Sequence, residues 1–135
     1  MKKLFLFLSL SFILSTGYSQ IMFDAVTATV SITSDIGVPI KTKGAIIIQV
    51  SSAFNGTNDT LKLFGGVLKG STIIWTPCYQ NDGVTLAQFT LTSAANATPV
   101  SFDIQGADYA YYRLIYYKGN TSAGTLTAVA FFKGQ

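Results

Sequence analysis

The sequence predicts an all-β fold, and its composition and periodicity are the observations that predict it. Of the 135 residues, 49% are hydrophobic and 11% are charged, a balance that excludes an intrinsically disordered chain. Strand-favouring Thr, Val, Ile, Tyr and Phe are abundant, whereas Glu is absent and Gln and Arg are scarce. We therefore expect a single antiparallel β-sandwich, jelly-roll or immunoglobulin-like, of about eight strands after an N-terminal apolar segment.

The expected strands are runs that alternate between apolar and polar residues, or short apolar runs between turn residues. They cover residues 24–33, 45–51, 60–64, 71–76, 84–92, 100–105, 108–117 and 125–133. The three consecutive isoleucines at 46–48 predict a strand that is buried on both faces.

Three short segments predict turns between these strands. Residues 34–37 read Ser-Asp-Ile-Gly, and residues 81–83 read Asn-Asp-Gly, a sequence that suits the positive φ angles of tight turns. The pair Gly65-Gly66 predicts either a turn or a β-bulge.

The N-terminus has the three parts of a secretory signal. Lys2 and Lys3 precede an apolar run at residues 4–14, and Gly17-Tyr-Ser19 supplies small residues before a cut at Gln20. We expect residues 1–19 to be a signal peptide and residues 20–135 to be the folded domain. Two alternatives are a retained apolar N-terminal arm and a first buried strand. The run is shorter than the roughly 20 residues that span a bilayer, so membrane contact is expected only through residues 4–14 if they are retained.

The composition makes a conventional enzyme unexpected. The chain has no His and no Glu, which excludes a His-containing triad, a His-ligated zinc site and a Glu pair. Paired Asp residues remain available, and Asp103 with Asp108 would carry a hydrolase hypothesis. The single Cys78 has no His to activate it, which favours a structural thiol over a nucleophile. We predict no enzymatic activity and no cofactor.

The charge distribution argues against nucleic-acid binding, and the composition of the oxygen-rich loop argues against a metal site. Without Lys2 and Lys3 the net charge falls from +3 to +1, and the remaining basic residues are scattered, unlike a nucleic-acid-binding face. The loop at 54–60 contains Asn55, Asn58 and Asp59, but calcium sites usually gather several carboxylates. Turn chemistry explains these residues better, and no metal site is predicted.

The most conspicuous functional candidate is an aromatic strand. Alternation places Tyr109, Tyr111, Arg113 and Tyr117 on one face of it. Aromatic and Arg side chains are enriched in the centres of interfaces, so we predict an interaction face for a partner protein or a sugar ring. The alternative is that these rings pack under a loop or between the sheets. Trp75 either joins this face or anchors the core.

Several stretches together resemble small jelly-roll-like β-sandwich proteins of bacteriophage virions, found as capsid decoration, fibre or tail components. They are Phe-Asn-Gly-Thr-Asn-Asp-Thr-Leu-Lys-Leu at 54–63, Ile-Trp at 74–75, the Tyr-rich run at 102–117 and Gly-Thr-Leu-Thr-Ala at 124–128. The resemblance implies a non-enzymatic structural protein that acts in a multimer. Its partners would be copies of itself or other virion proteins.

A second resemblance concerns the N-terminus. Gly17-Tyr-Ser-Gln20 is similar to export signals of Bacteroidota, in which Gln commonly follows the cut. The expected location is therefore the virion or the outside of the cell. The alternative function is an exported carbohydrate-binding or adhesin-type domain that uses the same aromatic residues together with Trp75.

Overall fold

The computed structural model describes residues 18–38, 43–80, 83–104 and 109–133. The predicted apolar segment at residues 4–14 lies outside these residues, as do Asp82 and Asp108. The first described strand includes Tyr18 and Ser19, which precede the predicted cut at Gln20.

The described residues form nine strands and one short 3-10 helix. The strands are β1 (Tyr18–Thr27), β2 (Ile32–Gly37), β3 (Lys43–Val50), β4 (Asp59–Lys69), β5 (Thr72–Pro77), β6 (Gln88–Leu91), β7 (Val100–Ile104), β8 (Tyr111–Tyr117) and β9 (Thr125–Lys133). The 3-10 helix, Ser93–Asn96, connects β6 to β7. The all-β prediction is confirmed.

The strands form two antiparallel sheets that pack against each other. The first sheet has the order β1-β9-β3-β7. The second has the order β2-β8-β4-β5. β5 pairs with residues 64–69 of β4, and β6 pairs with residues 59–62 of the same strand. Apart from β6, early strands pair with late strands in reverse order: β1 with β9, β2 with β8, β3 with β7 and β4 with β5. This is jelly-roll connectivity, which decides between the two expected sandwich types.

Two turn predictions are wrong. Residues 34–37 lie in β2 instead of a turn, and the expected strand at 24–33 is interrupted at residues 28–31, between β1 and β2. The polar composition of residues 34–37 reflects an edge strand with one solvent-facing side, because Ile36 is buried while Asp35 faces outward.

The Gly65-Gly66 pair is neither a turn nor a β-bulge, since both residues lie within β4 and pair in regular register with β5 and β8. The two glycines make room for rings. Tyr109 lies over Gly65, and a Cβ atom at Gly66 would be 2.7 Å from Cγ2 of Ile73 and 2.9 Å from Cζ3 of Trp75. The two glycines therefore allow Tyr109, Ile73 and Trp75 to pack closely against the backbone of β4.

The core lies between the sheets and is built from alternate residues of the strands. The fully buried apolar side chains include Phe23, Ile46, Ile48, Leu61, Leu91, Leu114, Tyr116 and Leu126. The odd-numbered residues of β8 face away from the core, as the alternation predicts.

Candidate functional site

The outer face of the second sheet carries most of the predicted interaction residues. Tyr111, Arg113 and Tyr117 alternate with buried residues along β8. Trp75 is opposite Gly66, which is opposite Tyr111, so the indole belongs to this same surface. We call Trp75, Tyr111, Arg113 and Tyr117 the aromatic face.

Arg113 organises the centre of the aromatic face. Its guanidinium carbon lies 4.0 Å from the centroid of the Trp75 ring. Its Nε and NH2 groups each donate a hydrogen bond of 2.7 Å to a different carboxylate oxygen of Asp35. The hydrogen bond to Asp35 raises the pKa of Arg113. The stacked and bidentate geometry fixes the guanidinium in one orientation.

The two tyrosines of this face differ in exposure. Tyr117 is 41% exposed, and Nζ of Lys62 lies 5.2 Å from its ring centroid. Tyr111 is half-buried beside Gly37 of the edge strand β2. Open aromatic surface is therefore concentrated at Tyr117.

Tyr109 does not share this face. It precedes β8, so the two-residue period of the strand does not extend to it. Its ring packs over Gly65 and meets the Tyr112 ring edge-on, with centroids 6.1 Å apart. Tyr109 therefore packs against the core, which is the alternative considered for these rings.

The outer face of the first sheet carries a surface that the sequence prediction missed. Ile21, Val129 and Ile47 form one row across β1, β9 and β3, with Phe131 in the next row. Ile21 is 62%, Phe131 47% and Ile47 39% exposed. We call these four residues the apolar cluster. The expectation that β3 is buried on both faces is wrong: Ile46 and Ile48 are buried, but Ile47 is on the outer side, which nothing in the described residues covers.

A cleft of about 340 Å³ opens between the two sheets where the edges of β6 and β7 meet. Phe89 and Phe102 meet in it with ring centroids 4.5 Å apart. The described lining consists of Tyr79, Gln80, Ala87, Phe89, Ser101, Phe102 and Asp103. Sequence analysis did not find this site because its residues come from three separate segments.

The Asn-rich loop at 54–58 interlocks with the loop at 118–124. Asn55 Oδ1 accepts hydrogen bonds from the N–H groups of Ser122 and Ala123, at 3.0 and 3.2 Å. Asn58 Oδ1 accepts from the N–H of Asn120 at 2.9 Å. We call this arrangement the loop clamp. These amide oxygens are used by backbone donors, as the turn interpretation of the loop expects.

Asp59 is the buried end of the loop clamp and is fully inaccessible to solvent. Its Oδ1 accepts hydrogen bonds from the Tyr116 hydroxyl at 2.7 Å and from the Gly119 N–H at 2.8 Å. Burial raises the pKa of Asp59, but the neighbouring polar groups of Thr121 and the hydrogen bonds from Tyr116 and Gly119 outweigh burial and hold it below its ordinary value of 3.8. Burial also raises the pKa of Tyr116.

Of the candidate catalytic groups, the structure describes Cys78 and Asp103, whereas Asp108 lies outside the described residues. Cys78 is buried, and burial raises the pKa of its thiol to about 12, so the thiolate that a nucleophile needs is not formed near neutral pH. Asp103 is exposed on β7. In the described part of the chain, no three Cys, Asp or Glu side chains gather as a metal site would require.

No family model matches the chain, and no curated protein is significantly similar to it. Within residues 18–38, 43–80, 83–104 and 109–133, no helix is long and apolar enough to cross a membrane.

Proposed function

We propose that this protein is a non-enzymatic structural or interaction domain of the virion-associated kind, and that it acts in a multimer. The observation that carries the proposal is the contiguous apolar cluster on the outer face of the first sheet. Isolated exposed apolar residues are ordinary, but contiguous ones mark contact surfaces. A neighbouring copy packed there would remove Ile21, Ile47 and Phe131 from water together.

The aromatic face supports a second contact surface on the opposite side of the sandwich. The Trp75 ring contacts Gly66 and is covered by Arg113, which is itself held by Asp35. A ring covered in this way is a poor platform for a sugar, whereas a preorganised Arg beside aromatic rings suits a protein partner. This arrangement favours protein contact over carbohydrate binding at the aromatic face.

The jelly-roll connectivity is compatible with the resemblance to virion proteins, since capsid domains use this architecture. Lectins use it as well, so the fold alone does not choose the function. The low content of charged residues, 11%, supports close packing against neighbours, because few charges would be desolvated or would repel one another.

Sedimentation velocity tests the multimer. The protein is expected to sediment as a multimer, and Phe131→Asp is expected to shift it towards the monomer by placing a charge in the contact. Val30→Asp is the matched control, because Val30 is exposed in the β1–β2 connection outside both faces. If the protein is a monomer at all concentrations, the proposal is wrong. If Phe131→Asp and Val30→Asp shift the sedimentation equally, the apolar cluster is not the contact surface.

The aromatic face is tested separately by Tyr111→Ala combined with Tyr117→Ala. If this face is a contact surface, the folded double variant shows weakened assembly. If the double variant unfolds, the two rings serve packing and not association. Mass spectrometry of purified virus particles from the host tests the virion association, and absence of the protein from them contradicts it.

A further inference from the structure

The hairpin formed by β4 and β5 projects beyond the rest of the second sheet. Strand β8 pairs with β4 only as far as Gly66, so residues 67–69 of β4 pair with residues 72–74 of β5 alone. Three residue pairs extend about 10 Å, at about 3.4 Å per residue. The two-residue turn Gly70-Ser71, with Gly70 at a φ of 65°, fixes the register of this projecting end.

One face of the projecting end is apolar and open to solvent. Val67 lies on the same side of β4 as the buried Leu61 and Leu63, because an even number of residues separates them. Ile74 is directly opposite Val67. Val67 is nevertheless 50% and Ile74 52% exposed, so the described part of the first sheet does not cover them. We call Val67 and Ile74 the hairpin pair.

We propose that the hairpin pair packs on the apolar cluster of a second copy of this chain. This inference rests on the proposed multimer and identifies the surface that meets the apolar cluster. The cluster crosses β1, β9 and β3, a width of about 10 Å at the usual spacing of strands, which matches the length of the projecting hairpin. The contact would remove both apolar surfaces from water together.

Lys69 and Asp103 place opposite charges beside the two surfaces. Lys69 is exposed and lies on the same side of β4 as Val67, two residues further along. Asp103 is exposed and is opposite Ala45, which is opposite Phe131 of the apolar cluster. Neither charge forms an ion pair with another of the described residues. Opposite charges at the rim of an apolar contact select the partner and its orientation.

The hairpin and the apolar cluster lie towards the same end of the sandwich. The hairpin projects past Gly37, the last residue of β2, since Gly37 and Gly66 both pair with Tyr111. Residues 38–42 connect β2 to β3, so β3 begins at this end, and its pairing places Phe131 close to the same end. Two copies related by a twofold axis can therefore each place a hairpin on the apolar cluster of the other, and this arrangement is closed.

Charge exchange, followed by sedimentation velocity, tests the contact. Lys69→Asp and Asp103→Lys are each expected to weaken association about tenfold, because repulsion replaces attraction. The two substitutions together are expected to restore association, because the pair forms again with its signs reversed. Lys118→Asp is the matched control, since it reverses an exposed lysine just after β8, at the opposite end of the sandwich.

Loss of apolar surface is the second test. Val67→Thr combined with Ile74→Thr keeps β-branched side chains in the strands and is expected to weaken association about tenfold or more. Val30→Thr combined with Val84→Thr is the matched control, because these exposed valines lie in connections outside the hairpin and the apolar cluster. Urea unfolding checks that each variant is folded.

The outcomes separate this contact from the multimer itself. A wild-type protein that is monomeric at all concentrations overturns both. A wild-type multimer whose association is unchanged in the folded hairpin variants overturns this contact alone, and the apolar cluster then packs on a different surface. Single charge reversals that the double variant does not rescue also overturn the contact, as does an equal loss of association in Lys118→Asp.

Discussion

Asp59 and Asp35 carry the same side chain in two different environments, a buried contact between loops and an exposed ion pair. Asp35 is exposed and pairs with Arg113 on the outer surface, where solvent screens the interaction. Asp59 is completely buried and is held by hydroxyl and backbone N–H groups instead of by a basic side chain. The two loops therefore stabilise the buried carboxylate, and the carboxylate stabilises the contact between the loops.

The variant Asp59→Asn tests this dependence. Near neutral pH it is expected to lower the free energy of unfolding by about 2 kcal/mol, because a neutral amide oxygen accepts the hydrogen bonds from Tyr116 and Gly119 less strongly than the carboxylate does. The depressed pKa of Asp59 stabilises the fold above the ordinary value of 3.8, and this contribution is lost as pH falls through the folded-state pKa. Urea unfolding between pH 7 and pH 2 is the measurement.

The pH dependence of urea unfolding shows whether the charge of Asp59 stabilises the fold. The difference in stability between the two proteins should shrink as the pH falls, since the native carboxyl becomes protonated. Asp35→Asn serves as the control, with an effect of about 1 kcal/mol or less for an exposed pair. A difference that stays constant down to pH 2 contradicts a role for the charge of Asp59.

At the scale of elements, the loop clamp joins the β3–β4 connection to the β8–β9 connection at one end of the sandwich. Asn55 accepts from two backbone N–H groups and donates to the Ser122 hydroxyl at 2.8 Å. Gly56 is required because a Cβ atom there would collide with Asp59 and Thr121. Gly124 has φ of 101°, a conformation that glycine adopts without strain.

The variant Asn55→Ala removes the outer part of the clamp. We expect it to lower the free energy of unfolding by about 1–2 kcal/mol, because three hydrogen bonds between the loops are lost. Asn96→Ala is the matched control, since no interaction of the Asn96 side chain enters the clamp. Urea unfolding of both variants is the check, and equal losses would mean that the clamp adds no specific stability.

Sequence periodicity predicted the strands of this fold better than it predicted their ends. Alternation on β8 placed Tyr111, Arg113 and Tyr117 outside because every second residue of a strand faces the same way. It failed at Tyr109, which precedes the strand, and at residues 34–37, where an edge strand has the composition of a turn. Glycines at 65–66 were misinterpreted because the rings that occupy their space are distant in the sequence.

At the scale of the whole molecule, the two outer faces of the sandwich differ in character. The first sheet presents the apolar cluster, and the second presents rings ordered around Arg113. The cleft lies between them at one seam. If both faces are contact surfaces, as proposed, the sandwich joins neighbours on both sides in a multimer.

The candidate sites were only partly predictable for a physical reason. The aromatic face lies mainly on one strand, so a local pattern reveals it. The apolar cluster combines three strands and the cleft three segments, and both depend on cross-strand register. Register is set by pairings between residues far apart in the chain. Ile47 illustrates this, since three consecutive isoleucines suggest burial until the neighbours of β3 are known.

Hydroxyl-radical footprinting of the protein over a range of concentrations tests most directly whether the apolar cluster is a contact between molecules. Phe131 is expected to be oxidised in dilute solution and protected at high concentration, because assembly covers it. Tyr79, which is exposed at the cleft and outside the cluster, should be oxidised equally in both. Oxidation of Phe131 that does not change with concentration, in a protein that remains folded, would contradict the proposed assembly.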